Sequence, residues 1–279
     1  MFKPMDIGVT TWSFGVPESK FEEILRTIKE DAQLQIIQIG AFGKLELTNK
    51  VQEKWLEALA SYDLEVAATC VAFDGEDYSS IEAAIATVGF YDPQYFEIRF
   101  KHLCNMAELT SALGVTKLTT HLGFIPPETS GAKYQHMVDV TKRILDVLGE
   151  KGIHLGLEVG GLETAEDLLG FIQHVDRNNV MVNFDPANLV RTDIGDPIEA
   201  LETLREHVKL VHLKDAILPA EEGLFGDMVA LGQGAIQVGR FVGKLREIGY
   251  SGPLLIEGEG GYNTVEQVCN ARDLLSSLL

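Results

Sequence analysis

Residues 153–185 decide the fold: IHLGLE (153–158), then VGGLETAEDLLGFIQHVDRNN, then VMVNFD (180–185). A short apolar run ends in a carboxylate. A segment with helical period follows, in which Leu168, Leu169 and Ile172 share one face. A second short apolar run again ends in a carboxylate. Two strands joined by a helix must run parallel, because a tight turn cannot return the chain to the same end of a sheet.

Outward from that unit the pattern repeats. Strand candidates are 7–12, 36–40, 65–71, 117–122, 153–158, 180–185, 209–213 and 253–257, eight in all. Helical stretches lie between them. Phe21, Ile24, Leu25 and Ile28 share one face, as do Val238, Phe241, Val242, Leu245 and Ile248. Gly114, Gly152, Gly249 and Gly252 stand between a helix and the next strand, where a left-handed residue is often needed. Asp196-Pro197 reads as a helix cap followed by proline in the first turn. Eight such units predict an α/β fold, a single-domain (β/α)8 barrel over residues 1–279. An open doubly wound sheet is the competing fold. The first strand runs into TTWS (10–13), however, with no G-x-G-x-x-G turn. Two places interrupt the alternation: an extra short helix at 79–87 and a long loop at 215–236 after strand 7.

Composition narrows the function. With 46% hydrophobic and 23% charged residues, the chain can bury a large core. No apolar run approaches the ~20 residues of a membrane span. The start, MFKPMDIGVTTWSFG, lacks a basic segment followed by an apolar one, which predicts no signal peptide and a cytoplasmic chain. The three cysteines are scattered and read as core residues in a reducing compartment. A net charge of −19 repels phosphate backbones and anionic membranes, so neither nucleic acid nor membrane is an expected partner. A homodimer is the base-rate expectation for assembly.

The chemistry collects at strand ends. Strands 5 to 8 finish on or near Glu158, Asp185, His212 and Glu257. Aimed into the barrel at its C-terminal end, these four groups meet at the mouth. Three converging carboxylates repel one another unless some are protonated or a cation sits among them. The oxygen-and-nitrogen set suits Mn²⁺, Mg²⁺, Co²⁺ or Zn²⁺, and the absence of cysteine ligands argues against a structural zinc site. The competing reading of any one residue is a cap for the next helix. Around this quartet His121, Lys214, Trp12, Asn188 and Arg191 are candidate substrate contacts. For Lys214 a purely structural ion pair competes, for Trp12 core packing, and for Arg191 a solvated surface position. The backbone amides of Gly232-Gln233-Gly234 are a weaker candidate for a phosphate cradle, against a plain loop turn.

The fragments LEVG (157–160), NFDPANL (183–189), VHLKD (211–215), LGQG (231–234) and GYSGPLLIE (249–257) resemble the xylose isomerase-like barrel superfamily of sugar-phosphate isomerases and epimerases. The order Glu, Asp, His, Glu on strands 5 to 8 is the most specific feature. The resemblance implies that Glu158, Asp185, His212 and Glu257 bind a divalent metal ion and that the substrate is a small sugar or polyol. Fold and metal do not fix the reaction. The leading expectation is isomerisation or epimerisation through a metal-stabilised enediolate, with Glu158 and Glu257 as the proton-transfer pair. The alternatives are dehydration of a keto-polyol, with His121 or Lys214 as the acid, and sugar binding without turnover. Two positions depart from the pattern: Gln38 stands where many members carry Glu, and Asn188 where many epimerases carry His. The endonuclease branch needs additional metal-binding histidines. This chain has seven in all, and His102, His136, His174 and His207 fall in expected helices.

Overall fold

The computed structural model describes residues 5–159, 161–221 and 223–279. Eight parallel strands close into a barrel. They are β1 (Ile7–Thr10), β2 (Ile36–Ala41), β3 (Glu65–Val71), β4 (Lys117–Thr120), β5 (His154–Glu158), β6 (Val180–Phe184), β7 (Val208–Leu213) and β8 (Leu254–Ile256). Neighbours pair in chain order, and β8 closes onto β1 with Ile7 beside Leu254 and Val9 beside Ile256. The α/β barrel expected from the alternating pattern is the fold.

Strand alternation sorts the side chains into two cores. Outward residues pack under the helices: Phe184 of β6 stacks on Phe241 with centroids 5.7 Å apart, and both are fully buried. Each such burial stabilises the fold by roughly 1.5–3 kcal/mol. Inward residues form a second, smaller core of Ile36, Ala67, Ala68, Leu210 and Leu255. This plug is the floor of the lumen. Two residues further along β7 and β8 the inward positions turn polar, to His212 and Glu257. The site therefore rests on an apolar base.

The helix signals hold in most particulars. Phe21, Ile24, Leu25 and Ile28 are all buried. The extra short helix runs Ile81–Thr87, with the Ser80 hydroxyl accepting from the Ala83 amide. Asp196 caps the helix Pro197–Leu204 through Ile198 N at 2.7 Å. Gly114, Gly152 and Gly249 take positive φ as expected. Gly252 does not; an added Cβ there would lie 2.4 Å from the Tyr250 hydroxyl, so close packing explains it. His207 lies in a turn beyond Leu204, outside the helix expected for it. The long loop after β7 is pinned near its ends, where Asp215–Ala216 pairs antiparallel with Met228–Val229. Among the described residues, no helix is long and apolar enough to cross a membrane.

Candidate metal centre and active site

Strands β5 to β8 deliver Glu158, Asp185, His212 and Glu257 to one place. One ligand atom from each lies within 4.8 Å of all the others. Two ligands on opposite sides of an ion are separated by twice a metal–ligand bond, about 4.0–4.4 Å for Mg²⁺ or Zn²⁺. Shifts of a few tenths of an ångström would close this set around an ion.

Asp185 shows how the chain serves two needs with one side chain. Its Oδ1 accepts from Ala187 N at 2.9 Å and so caps the helix Pro186–Thr192. Its Oδ2 is fully buried and receives no well-directed hydrogen bond, although Lys214 Nζ lies 2.9 Å away as an ion pair. Helix cap and metal ligand were competing readings of the sequence. The structure supplies the cap and leaves the second oxygen aimed into the cluster, where a cation fits.

His212 is oriented from behind by Gln38. The Gln38 amide nitrogen donates to Thr119 Oγ1 at 2.9 Å, which turns its carbonyl oxygen to His212 Nε2 at 2.6 Å. The proton is thereby assigned to Nε2, and Nδ1 faces Glu257 Oε2 at 3.1 Å and Glu158 Oε1 at 3.8 Å. This is the usual support for a metal-binding imidazole: one nitrogen held by an acceptor, the other free to bind. Gln38, a departure from the family pattern in the sequence, is thus part of the site.

The two glutamates differ. Glu257 is nearly buried and held by Trp12 Nε1 at 2.8 Å, Lys214 Nζ at 2.8 Å and His212. Burial opposes its charge, but Lys214 and His212 outweigh this and hold its carboxyl well below the usual carboxylate range. Glu158 keeps 22% of its side-chain surface and accepts one hydrogen bond, from Asn188 Nδ2 at 3.0 Å. Burial lifts its carboxyl to about 7 against the pull of Lys214. Burial likewise lifts Asp185 to about 6. Burial disfavours the His212 imidazolium, yet the facing carboxylates raise it to about 9.

The expected substrate contacts separate into three groups. Trp12, Lys214 and Asn188 touch the quartet. Trp12 is half-buried just past β1, edge-on to Phe42 with centroids 4.9 Å apart. Its ring covers Gly40, where a Cβ would lie 2.6 Å from Trp12 Cε3. Lys214 reaches Asp185, Glu257 and Glu259, so the ion-pair reading of this residue is realised threefold. His121 lies at the rim of β4 and shares a small cavity with Glu158. Its Nδ1 accepts from Gly123 N at 3.0 Å, and burial lowers it to about 4, so the ring is neutral at neutral pH. Arg191 binds elsewhere, with Nε on Gly226 O at 3.1 Å and the guanidinium over the Phe225 ring. It ties down the long loop.

The sequence reading missed three participants. Glu259 pairs with Lys214 at 3.0 Å; its spacing of two from Glu257 was the available signal. Asn183, fully buried, sets its amide nitrogen 3.3 Å from both His212 ring nitrogens. Asp215, also fully buried, accepts from Gly232 N and Gly234 N at 2.9 and 3.0 Å. The amides considered as a phosphate cradle are therefore already taken.

Comparison with known proteins agrees with this geometry. The sequence pattern of the xylose isomerase-like TIM barrel family matches residues 16–278. The chain belongs to that family. A xylose isomerase domain protein from Planctomyces limnophilus superposes with a TM-score of 0.88 at 31% identity, covering 100% of this chain and 98% of that one. A D-allulose 3-epimerase from Methylomonas sp., in complex with D-allulose, superposes with a TM-score of 0.72 at 15% identity, covering 100% and 98%, which shows a shared fold. A ketose 3-epimerase of Arthrobacter globiformis is 25% identical over 214 residues, 72% of this chain and 65% of that protein's length.

Proposed function

We propose that this family member is a divalent-metal-dependent isomerase or epimerase of a sugar or sugar derivative, working by proton transfer beside a carbonyl. The observation that carries the reading is the convergence of Glu158 and Glu257, from strands β5 and β8, on the same His212 nitrogen. The names of the ketose 3-epimerase and D-allulose 3-epimerase relatives support the substrate class.

A divalent ion held by Glu158, Asp185, His212 and Glu257 would polarise the substrate carbonyl and stabilise the negative charge that develops on its oxygen. Glu158 takes the neighbouring proton. It is the freer carboxylate, with one hydrogen bond, and burial raises its affinity for a proton, which opposes the lowering that a bound ion would bring. Asn188 holds one Glu158 oxygen and leaves the other for the proton. Glu257, fixed by Trp12 and Lys214, is the other member of the pair. It relays to the opposite face of the substrate carbon a proton from the Lys214 ammonium 2.8 Å away, and the proton taken by Glu158 passes to solvent, from which Lys214 is recharged. His121, neutral and at the rim, binds a substrate hydroxyl.

The test is solvent deuterium exchange into ketoses, D-allulose among them, with Glu158→Gln. The expected result is loss of exchange with metal still bound, because the amide oxygen remains a ligand. Full exchange by the variant refutes the assignment. A product with a conjugated carbonyl in the ultraviolet places the enzyme among the dehydratases instead.

A further inference from the structure

We propose that the mouth of this barrel takes an uncharged polyhydroxy substrate, and that Glu259 is the specificity-determining residue that keeps phosphorylated and carboxylated molecules out. The inference rests on the isomerase reading for there being a substrate at all. The charges around the barrel mouth are the same whatever the reaction.

An anionic group needs a free cation or a cradle of N–H donors, and among the described residues the sources nearest the quartet are engaged, the neutral His121 offering a single N–H. Lys214 is the ammonium that reaches the quartet. It has three N–H bonds and faces three carboxylates, Asp185 Oδ2 at 2.9 Å, Glu257 Oε2 at 2.8 Å and Glu259 Oε2 at 3.0 Å. Two of these carboxylates belong to the candidate metal set and would turn to an ion. Glu259 does not belong to it, and it would stay on Lys214. Its side chain is 38% exposed against 5% for Lys214, so it covers the ammonium from the solvent side.

The second source is the loop after β7, where barrels commonly seat phosphate on backbone amides. Here Asp215 fills that seat. Its Oδ2 takes Gly232 N and Gly234 N, and its Oδ1 takes Ala216 N at 2.9 Å and Ile236 N at 3.4 Å. The fit leaves no room for a further anion: a Cβ on Gly234 would lie 2.2 Å from Asp215 Oδ1. The third source, Arg191, lies in the long loop, with Nε on Gly226 O and its guanidinium against the Phe225 ring, and no contact joins it to the quartet among the described residues. A net charge of −19 adds a field that disfavours anions, most strongly at low ionic strength. A neutral sugar is indifferent to all four features.

Glu259→Gln keeps the shape and removes the charge, leaving Lys214 uncompensated when an ion holds Asp185 and Glu257. The probe is sulfate, a stand-in for a phosphate monoester, titrated calorimetrically into the Mg²⁺-loaded protein. We expect no saturable binding to the wild type in the millimolar range. Glu259→Gln should bind at least about tenfold more tightly, and adding Lys214→Met should abolish the gain. Glu259→Asp, which keeps the charge, should behave as the wild type. Saturable wild-type binding that Lys214→Met removes overturns the proposal. So does a Glu259→Gln variant no better than the wild type, or a gain that survives in the double variant. Solvent exchange separates this from the isomerase reading. A wild type that exchanges no ketose defeats that reading while the sulfate titration still decides this one. Faster exchange of a ketose phosphate than of the free ketose defeats this one alone.

Discussion

Replacing Lys214 by methionine should make the protein bind its metal more tightly. Lys214 is 5% exposed and neutralises three carboxylates, two of them in the candidate metal set. In the metal-free protein the substitution leaves buried carboxylates without their cation, which costs about 3–5 kcal/mol. With an ion in place, Asp185 and Glu257 are neutralised without the lysine. What is then lost is the pair with half-exposed Glu259, worth about 1 kcal/mol or less. The difference of roughly 3 kcal/mol must reappear, around a closed thermodynamic cycle, as metal affinity. At 1.36 kcal/mol per decade, that is roughly a hundredfold. The metal-free Tm should fall by roughly 10 °C and the metal-loaded Tm by only a few degrees. Urea unfolding with chelator and with saturating Mn²⁺, together with a chelator-competition titration, measures every leg. Equal destabilisation of both forms, or weaker metal binding, refutes the picture of Lys214 as the resident counter-cation.

Three further outcomes follow from other parts of the structure. Burial holds the Glu163 carboxyl at about 7 against an ordinary 4.5, so the folded protein binds its proton more tightly than the unfolded chain does. That contribution is complete below the unfolded value and drains away as pH rises to about 7. It totals roughly 3 kcal/mol, and unfolding at about pH 4.5 and about pH 8 should show Glu163→Gln lacking this slope; parallel pH profiles for the two proteins would exclude it. Gly234→Ala should drive Asp215 from its four amides and open residues 223–235 to limited proteolysis, whereas an unchanged digestion pattern would show the clamp to be dispensable. Asn188→Ala removes the one hydrogen bond that orients Glu158. Solvent exchange should slow by about 10–100-fold, and restoration by Asn188→Gln would identify the loss as one of positioning.

The barrel and its quartet were legible because both are periodic. Strand alternation puts His212 and Lys214 on one face of β7 and Asn183 and Asp185 on one face of β6, and in both cases that face is the lumen side. What the sequence hides is who partners whom across the lumen. Gln38 reads as a missing carboxylate, and only the closed barrel sets its oxygen 2.6 Å from a histidine 174 residues away. The glycines at 232 and 234 read as free amides until Asp215 is folded beneath them. Asp185 read as either cap or ligand because the two uses occupy different oxygens, a distinction that composition cannot express.

The Gln38–His212 contact bears on how the centre responds to its surroundings. An amide neither gains nor loses a proton anywhere in the range where proteins stay folded. A carboxylate in the same place would release the ring on acidification, and the tautomer would be lost together with the ligands. With glutamine, the imidazole stays locked through Nε2 while Nδ1 and the carboxylates titrate around it. Acid would strip an ion from this candidate site without disturbing the frame. Neutralisation should then restore it at the speed of proton transfer and metal entry, with no side chain to be refolded first.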